Sequence, residues 1–219
     1  MPIFAENILK MNVIDSLQWR YATKKFDETK IVSDAKLNTI KQAFNLTATS
    51  YGLQPIKLVV LKNKALQQKL VPHSFNQEQV GQASHLLIIC IENTLDEKYI
   101  RTYFERVKAQ RNTKDEIVAG FRDFLITDFD KKSLEDITQA ATKQAYLALG
   151  NLLTVCALEK IDACPMEGFV PKEYSVVLNL KKKGISPVLI LPIGYRANDD
   201  IFASFKKVRK NLAEIIIEM

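Results

Sequence analysis

The stretch from Ser133 to about Glu159 is the strongest constraint on how this chain can fold. It opens on Ser133-Leu134-Glu135-Asp136, a start resembling a capping box, in which a hydroxyl and an acid satisfy the free N–H groups of a helix's first turn. Beyond it, Ala145, Leu147, Ala148, Leu149, Leu152, Leu153, Val155, Cys156 and Ala157 make the helix apolar on most faces. Such a helix belongs at the centre of a core or between subunits.

Two other runs can pack against it. His85 to Glu92 and Pro187 to Tyr195 are almost continuously apolar and rich in Ile and Leu, the pattern of strands buried on both faces. Ile56 to Leu61 reads as a third strand, Ile161 to Cys164 as a short one ended by Pro165, and Ile215-Ile216-Ile217 as a terminal one. Helices are expected from Asn12 or Asp15 through Trp19, from Ser33 or Asp34 through Phe44, over Ala65 to Val71, over most of 96–126, and within Pro171 to Leu180. Residues 46–55 and Phe75 to Val80 read as loops. Strands and helices do not alternate regularly, and neither G-x-G-x-x-G nor a P-loop motif occurs, so the class is α+β, a mixed sheet covered by helices. With no linker or internal repeat, residues 11–219 form one domain behind a short N-terminal extension, 1–10.

Composition narrows the function. An apolar fraction of 47% over 219 residues can bury a good core. The net charge of +6 raises nucleic acid as a partner, but the lysines are scattered and no binding motif accompanies them. The densest run, Lys181-Lys182-Lys183, precedes Gly184 and reads as a turn. Cys90, Cys156 and Cys164 are too sparse for a disulfide framework and read as small buried apolar residues in a reducing compartment. His73 and His85 have no metal-ligand spacing, so no metal is expected. The N-terminus lacks the basic and apolar regions of a signal peptide and no run is long enough to span a bilayer, so a cytoplasmic protein with no membrane partner is expected.

Four segments could carry chemistry: Arg20 with Lys24, the hydroxyl-rich loop Thr49 to Pro55, Cys164 to Phe169, and Lys207 with Arg209. Arginines and lysines from both ends of a chain can together grip a phosphate. Each also has a plain alternative. Cations favour helix C-termini, Lys206 to Lys210 could be a solvated face, and Pro165 to Gly168 could be an ordinary turn.

The order of these segments resembles the nitroreductase family. Arg20-Tyr21-Ala22-Thr23-Lys24-Lys25-Phe26-Asp27 resembles its opening flavin-binding motif, and Ala48 to Pro55 its Pro-Ser-Ser-x-Asn-x-Gln-Pro loop. Phe75-Asn76, Gln144 with Leu149-Gly150-Asn151-Leu152-Leu153, Pro165-Met166-Glu167-Gly168-Phe169, Leu191 to Tyr195 and Lys207-Val208-Arg209 follow in the family's order, from about Met11 to the C-terminus. The likeness is greatest to the oxygen-insensitive NAD(P)H nitroreductases and to related flavin or dihydropteridine reductases.

The resemblance implies a mixed, mainly antiparallel sheet flanked by helices, with a C-terminal strand exchanged between the subunits of a homodimer. It implies FMN as cofactor, NADH or NADPH as electron donor, and active sites at the subunit interface. Arg20, Lys207 and Arg209 would hold the FMN phosphate, and Lys24 would lie by flavin N1 and the C2 carbonyl. Tyr21, Ala22, Gln79, Gln144, Pro165 and Met166 would border the cofactor, with Asn76 on its pyrimidine edge. Glu167 and Gly168 would offer backbone N–H groups to N5 and O4, and Thr49, Ser50 and Gly52 would come from the other subunit. Phe124, Tyr51 and Phe75 would shape the acceptor pocket.

Four positions depart from the family's pattern. Ala22 replaces a serine, Gly52 an asparagine, Ile56 a tryptophan and Gln79 a lysine. The activity implied is ping-pong, two-electron hydride transfer to nitroaromatics, quinones or related acceptors. A flavin or dihydropteridine reductase, and a non-catalytic flavin-binding redox sensor, remain open alternatives.

Overall fold

The computed structural model describes residues 13–219. The expected extension 1–10 and the helix start at Asn12 lie outside the described residues. Helices α1 (Val13–Trp19) and α2 (Asp34–Asn45) precede strand β1 (Ile56–Leu61), and α3 (Lys64–Leu70) and α4 (Gln79–Gln82) lead to β2 (His85–Glu92). Helices α5 (Glu97–Arg111), α6 (Asp115–Asp130) and α7 (Leu134–Leu158) separate β2 from β3 (Asp162–Ala163). Then come α8 (Pro171–Val177), β4 (Ile185–Gly194) and α9 (Leu212–Ile215).

The sheet order is β1-β2-β4-β3, and every pairing is antiparallel. The segment after α1 adds one parallel bridge, Ala22 to Ala163, so the sheet is mixed but mainly antiparallel. The β2–β4 register shifts between Ile89 and Cys90, where Pro187 stands opposite Cys90. Proline lacks the N–H that a regular ladder needs, and a bulge accommodates it.

Alternation along β2 explains its apolar sequence. Leu87, Ile89 and Ile91 point to one face and pack with Leu37 and Ile40 of α2 and with Ala145, Ala148 and Leu152 of α7. Leu86, Ile88 and Cys90 point to the other, with Leu70, Met166, Phe169 and Tyr174. Each such side chain contributes about 2 kcal/mol by burial. A third cluster of Leu53, Ile100, Phe104 and Leu125 fastens the α5–α6 hairpin to the loop before β1.

The helix starts follow local chemistry. Ser33 Oγ accepts from Lys36 N–H (3.4 Å), Asp96 Oδ1 from Tyr99 N–H (2.8 Å) and Ser133 Oγ from Asp136 N–H (3.0 Å). Residues 96–126 divide into two helices at Asn112, whose left-handed conformation (φ 49°) ends α5. Helix α7 buries Ala141, Ala145, Ala148, Leu152 and Cys156, yet leaves Tyr146, Leu147 and Gly150 exposed on its outer side.

Two expectations need correction. Phe75 to Val80 is not wholly a loop, because α4 begins at Gln79. Ile215 to Ile217 is not a strand within this chain: Leu212–Ile215 is helical, and Glu214 Oε1 accepts from Asn211 N–H (2.8 Å). A strand needs a neighbour, which the chain does not supply here, so the local cap prevails. Ile216 returns to extended backbone (φ −116°, ψ 128°), and every residue of 201–219 is exposed. No helix among the described residues is long and apolar enough to cross a membrane.

Candidate functional site

The segment after α1 is stitched to the sheet's β3 edge. Thr23 N–H donates to Ala163 O (3.3 Å) and Asp27 N–H to Tyr195 O (2.8 Å). Arg196 lies over the Trp19 ring (4.4 Å) and the Tyr21 ring (4.6 Å) while pairing with buried Asp162 (2.6 Å). Ala22 packs against the second core cluster, leaving Lys24 exposed.

The chain's two ends meet here. Lys207 Nζ donates to the carbonyls of Gln18 (2.7 Å) and Arg20, at the C-terminal end of α1. Burial, then the Arg209 charge, push the Arg20 guanidinium below its ordinary value. Burial, then Arg20 and Arg209, push the Lys207 ammonium down. Among the described residues none of the three cations pairs with a carboxylate. Three neighbouring cations from distant parts of the chain concentrate positive charge at this end of the sheet.

Beside them runs Cys164 to Gly168. Cys164 N–H donates to Pro192 O (3.0 Å), Met166 exchanges hydrogen bonds with Ile190, and Pro165 is half-buried between them. Burial raises the Cys164 thiol's pKa, and Lys24 acts against it from nearby. The Gln79 amide, buried, faces the same sulfur at 4.0 Å. The backbone N–H groups of Glu167 and Gly168 donate to nothing among the described residues. Polar backbone groups ordinarily find partners, so this pair is free for water or a ligand. Gln77 Nε2 holds Gly168 O (3.0 Å), the Phe75 ring lies beside Gly168, and Tyr146 OH donates to Glu167 Oε1 (2.6 Å). Phe75 and Asn76 both take left-handed backbone (φ 53° and 56°). That conformation costs about 1–2 kcal/mol for a non-glycine residue, and Phe75 bears it while 65% exposed, with no core packing to explain it.

A second group surrounds the loop before β1. Gln144 Oε1 accepts from Ser50 N–H (3.0 Å), and Thr49 Oγ1 from Gln54 N–H (3.1 Å). Tyr51 meets Phe121 edge-on, and Phe121 stacks on Phe124, a chain of exposed rings. Gly52 has φ +73°, and a Cβ there would lie 2.5 Å from the Tyr103 hydroxyl oxygen. The left-handed backbone favours glycine at 52, and any side chain there would have to displace the Tyr103 hydroxyl.

The expected site residues therefore form two groups. Arg20, Tyr21, Ala22, Lys24, Gln79, Pro165 to Gly168, Lys207 and Arg209 gather around the end of the sheet, with Phe75 against Gly168 and Asn76 next to it in the chain. Thr49, Ser50, Tyr51, Gly52, Phe124 and Gln144 gather on the other side of α7. Gln144 holds one group and Tyr146 the other; residues two positions apart on an α-helix are rotated by about 200°, so they address opposite sides of α7. Three participants escape sequence reasoning. Asp200 anchors Tyr21 and Lys24, Tyr146 holds Glu167, and Tyr103 fills the space above Gly52. Nothing in the Asn198-Asp199-Asp200 run tells which aspartate turns inward.

The sequence profile of the Nitroreductase family matches residues 17–195. A Staphylococcus epidermidis protein named "Putative NAD(P)H nitroreductase" is 34% identical, over 96% of this chain and 98% of its own. The solved structure of the Bacillus subtilis "putative nitroreductase ydfN" superposes with a TM-score of 0.83 at 17% identity, over 94% of this chain and 98% of that one. A "putative nitroreductase in complex with FMN" from Exiguobacterium sibiricum superposes with a TM-score of 0.79 at 17% identity, over 95% and 97%.

Proposed function

This chain belongs to the nitroreductase family, and on that premise we propose that it is an FMN-dependent NAD(P)H oxidoreductase acting as a homodimer. The observation that carries this reading is the cluster of Arg20, Lys207 and Arg209, without a carboxylate partner among the described residues, next to the two unused N–H groups of Glu167 and Gly168. A phosphate-bearing, planar heteroaromatic ligand satisfies both.

FMN held there would supply the redox chemistry, two-electron hydride transfer from reduced nicotinamide to an acceptor. The chain's residues bind and tune it. Arg20, Lys207 and Arg209 hold the phosphate. Lys24 places a fixed positive charge where reduction develops negative charge, which needs no reorganisation. Asn76 would hold the pyrimidine edge, and the unused N–H groups of Glu167 and Gly168 would be offered to N5 and O4. Gln79, buried against Cys164, supplies an amide where a lysine would add a second charge. Thr49, Ser50 and Gly52 are contributed by the partner. Gln144 fixes that loop, and Tyr51 and Phe124 with their exposed rings receive a flat acceptor such as a nitroaromatic or quinone. Donor and acceptor occupy one pocket in turn.

The two groups' opposite placement around α7 supports the dimer: each is half a site. β1 pairs with β2 on one side only among the described residues. A cleft of about 680 Å³ runs beside it, lined by Phe44, Leu58, Val60 and Tyr99 with Lys41 and Lys57. The partner's exposed tail, with Ile215-Ile216-Ile217, matches that cleft in apolarity. The exposed Leu147 and Gly150 of α7 would lie in the same interface. The reading places the protein in the reducing cytoplasm, in line with three buried, unpaired cysteines.

Steady-state kinetics test the reading. Purified protein should oxidise NADH or NADPH with parallel double-reciprocal plots against a quinone or nitroaromatic. Intersecting lines would replace the shared pocket by a ternary complex. Specificity constants favouring free flavin or a dihydropteridine would reassign the acceptor.

A further inference from the structure

Asp200 is 6% exposed, and four donors converge on its carboxylate. Oδ2 accepts from the Tyr21 hydroxyl (2.8 Å), Lys24 N–H (2.9 Å) and Lys25 N–H (3.2 Å), and Oδ1 accepts from Phe202 N–H (3.1 Å). Burial pushes the carboxyl's pKa up, but these bonds outweigh it and hold the group below its usual range. Ala197 N–H donates to Lys25 O (3.0 Å), and Lys25 pairs with Asp199, tightening the same junction.

The three donors from residues 21–25 belong to the segment that carries Arg20 and Lys24. The fourth begins the segment that carries Lys207 and Arg209. These segments bear neighbouring cations: burial first, then their mutual repulsion, lowers Arg20 and Lys207. Together with Lys207 on the α1 carbonyls and the Lys25 contacts to Ala197 and Asp199, the bonds to Asp200 tie the two segments, and they alone converge on one buried side chain.

We propose that Asp200 is a positioning residue that latches the two cation-bearing segments together, so that the phosphate grip is assembled before its ligand arrives. The inference rests on the FMN reading and names a residue that the family resemblance did not assign. The carboxylate is saturated by its donors and need not touch the ligand. Without the latch, gathering the cations would be charged to binding, and affinity for a phosphorylated ligand would fall.

The test uses the full chain stripped of flavin, titrated with FMN and with riboflavin, which lacks the phosphate, by flavin fluorescence. In Asp200→Asn the amide nitrogen cannot accept, so the Kd for FMN should rise by about tenfold or more, while the Kd for riboflavin changes much less. Tyr21→Phe, which removes one bond and no charge, should show the same selective loss at smaller size. Taking the ratio of the two affinities within one variant cancels any loss of folded protein. If Asp200→Asn does not fold, Tyr21→Phe decides by the same ratio. A variant that keeps the wild-type preference for FMN over riboflavin, whether both are unchanged or both equally weakened, overturns the latch and leaves the FMN reading intact. Wild-type protein that binds neither flavin removes the premise, and the latch with it.

Discussion

The central sheet and the C-terminal segment use similar side chains and leave them in opposite environments. Leu86 to Cys90 of β2 and Leu189 to Leu191 of β4 are fully buried. In residues 201–219, Phe205, Val208, Ile215 and Ile217 are 61%, 88%, 61% and 86% exposed. The sheet is completed by the chain's own helices. The tail is complete only if something else covers it, since a contiguous apolar stretch left in water marks an interaction surface. Yet the same exposed segment supplies Lys207 and Arg209. The stable sheet and the proposed cation grip should therefore fail independently.

Substitutions can break that contrast. Ile88→Ala, in the centre of the sheet, should cost about 3–4 kcal/mol, the same at every protein concentration in urea unfolding. A cost that changes with protein concentration would mean that the sheet depends on the partner as well. Deleting from Leu212 onward should leave the sheet folded but raise the dimer dissociation constant by about 100-fold or more, read by sedimentation velocity; an intact dimer would place the interface elsewhere. Gly52→Asn, which restores the family's usual residue, should destabilise the chain by about 1 kcal/mol. Its Cβ would meet the Tyr103 hydroxyl oxygen at 2.5 Å. Unchanged stability would show that the α5–α6 hairpin yields easily.

The smallest effect concerns acid. Hydrogen bonds from Thr29 and Lys30 lower Asp27 from 3.8 to about 2. A depressed carboxyl contributes stability above its ordinary pKa and loses it as pH falls through the folded value. Asp27→Asn should therefore flatten the melting-temperature profile slightly between pH 3.8 and about 2, and an unaltered profile would show that these bonds persist in the unfolded chain.

Sequence revealed most where periodicity is strong. β2, β4 and α7 are legible because burial on both faces, or on most of a helix, writes itself into long apolar runs. Ile215 to Ile217 misleads for the same reason. The run is apolar enough for a strand, but Asn211 and Glu214 close a helical turn when no neighbouring strand is present. The cation grip is not legible locally, because Arg20, Lys207 and Arg209 each look like ordinary surface charges; only the order of segments suggested their meeting. Gly52 reads as a missing hydrogen bond, whereas its left-handed φ and the Tyr103 hydroxyl above it favour the absence of a side chain. Asp200 and Tyr146 stay hidden because their roles depend on contacts across 179 and 21 residues.

The most direct test of the central claim is a visible absorption spectrum of the FMN-loaded protein, taken anaerobically before and after adding NADH or NADPH. The account predicts a protein-bound flavin band that bleaches on addition of the nicotinamide and returns with an acceptor. Protein that takes up no FMN, or whose bound flavin stays oxidised with both nicotinamides, would contradict it.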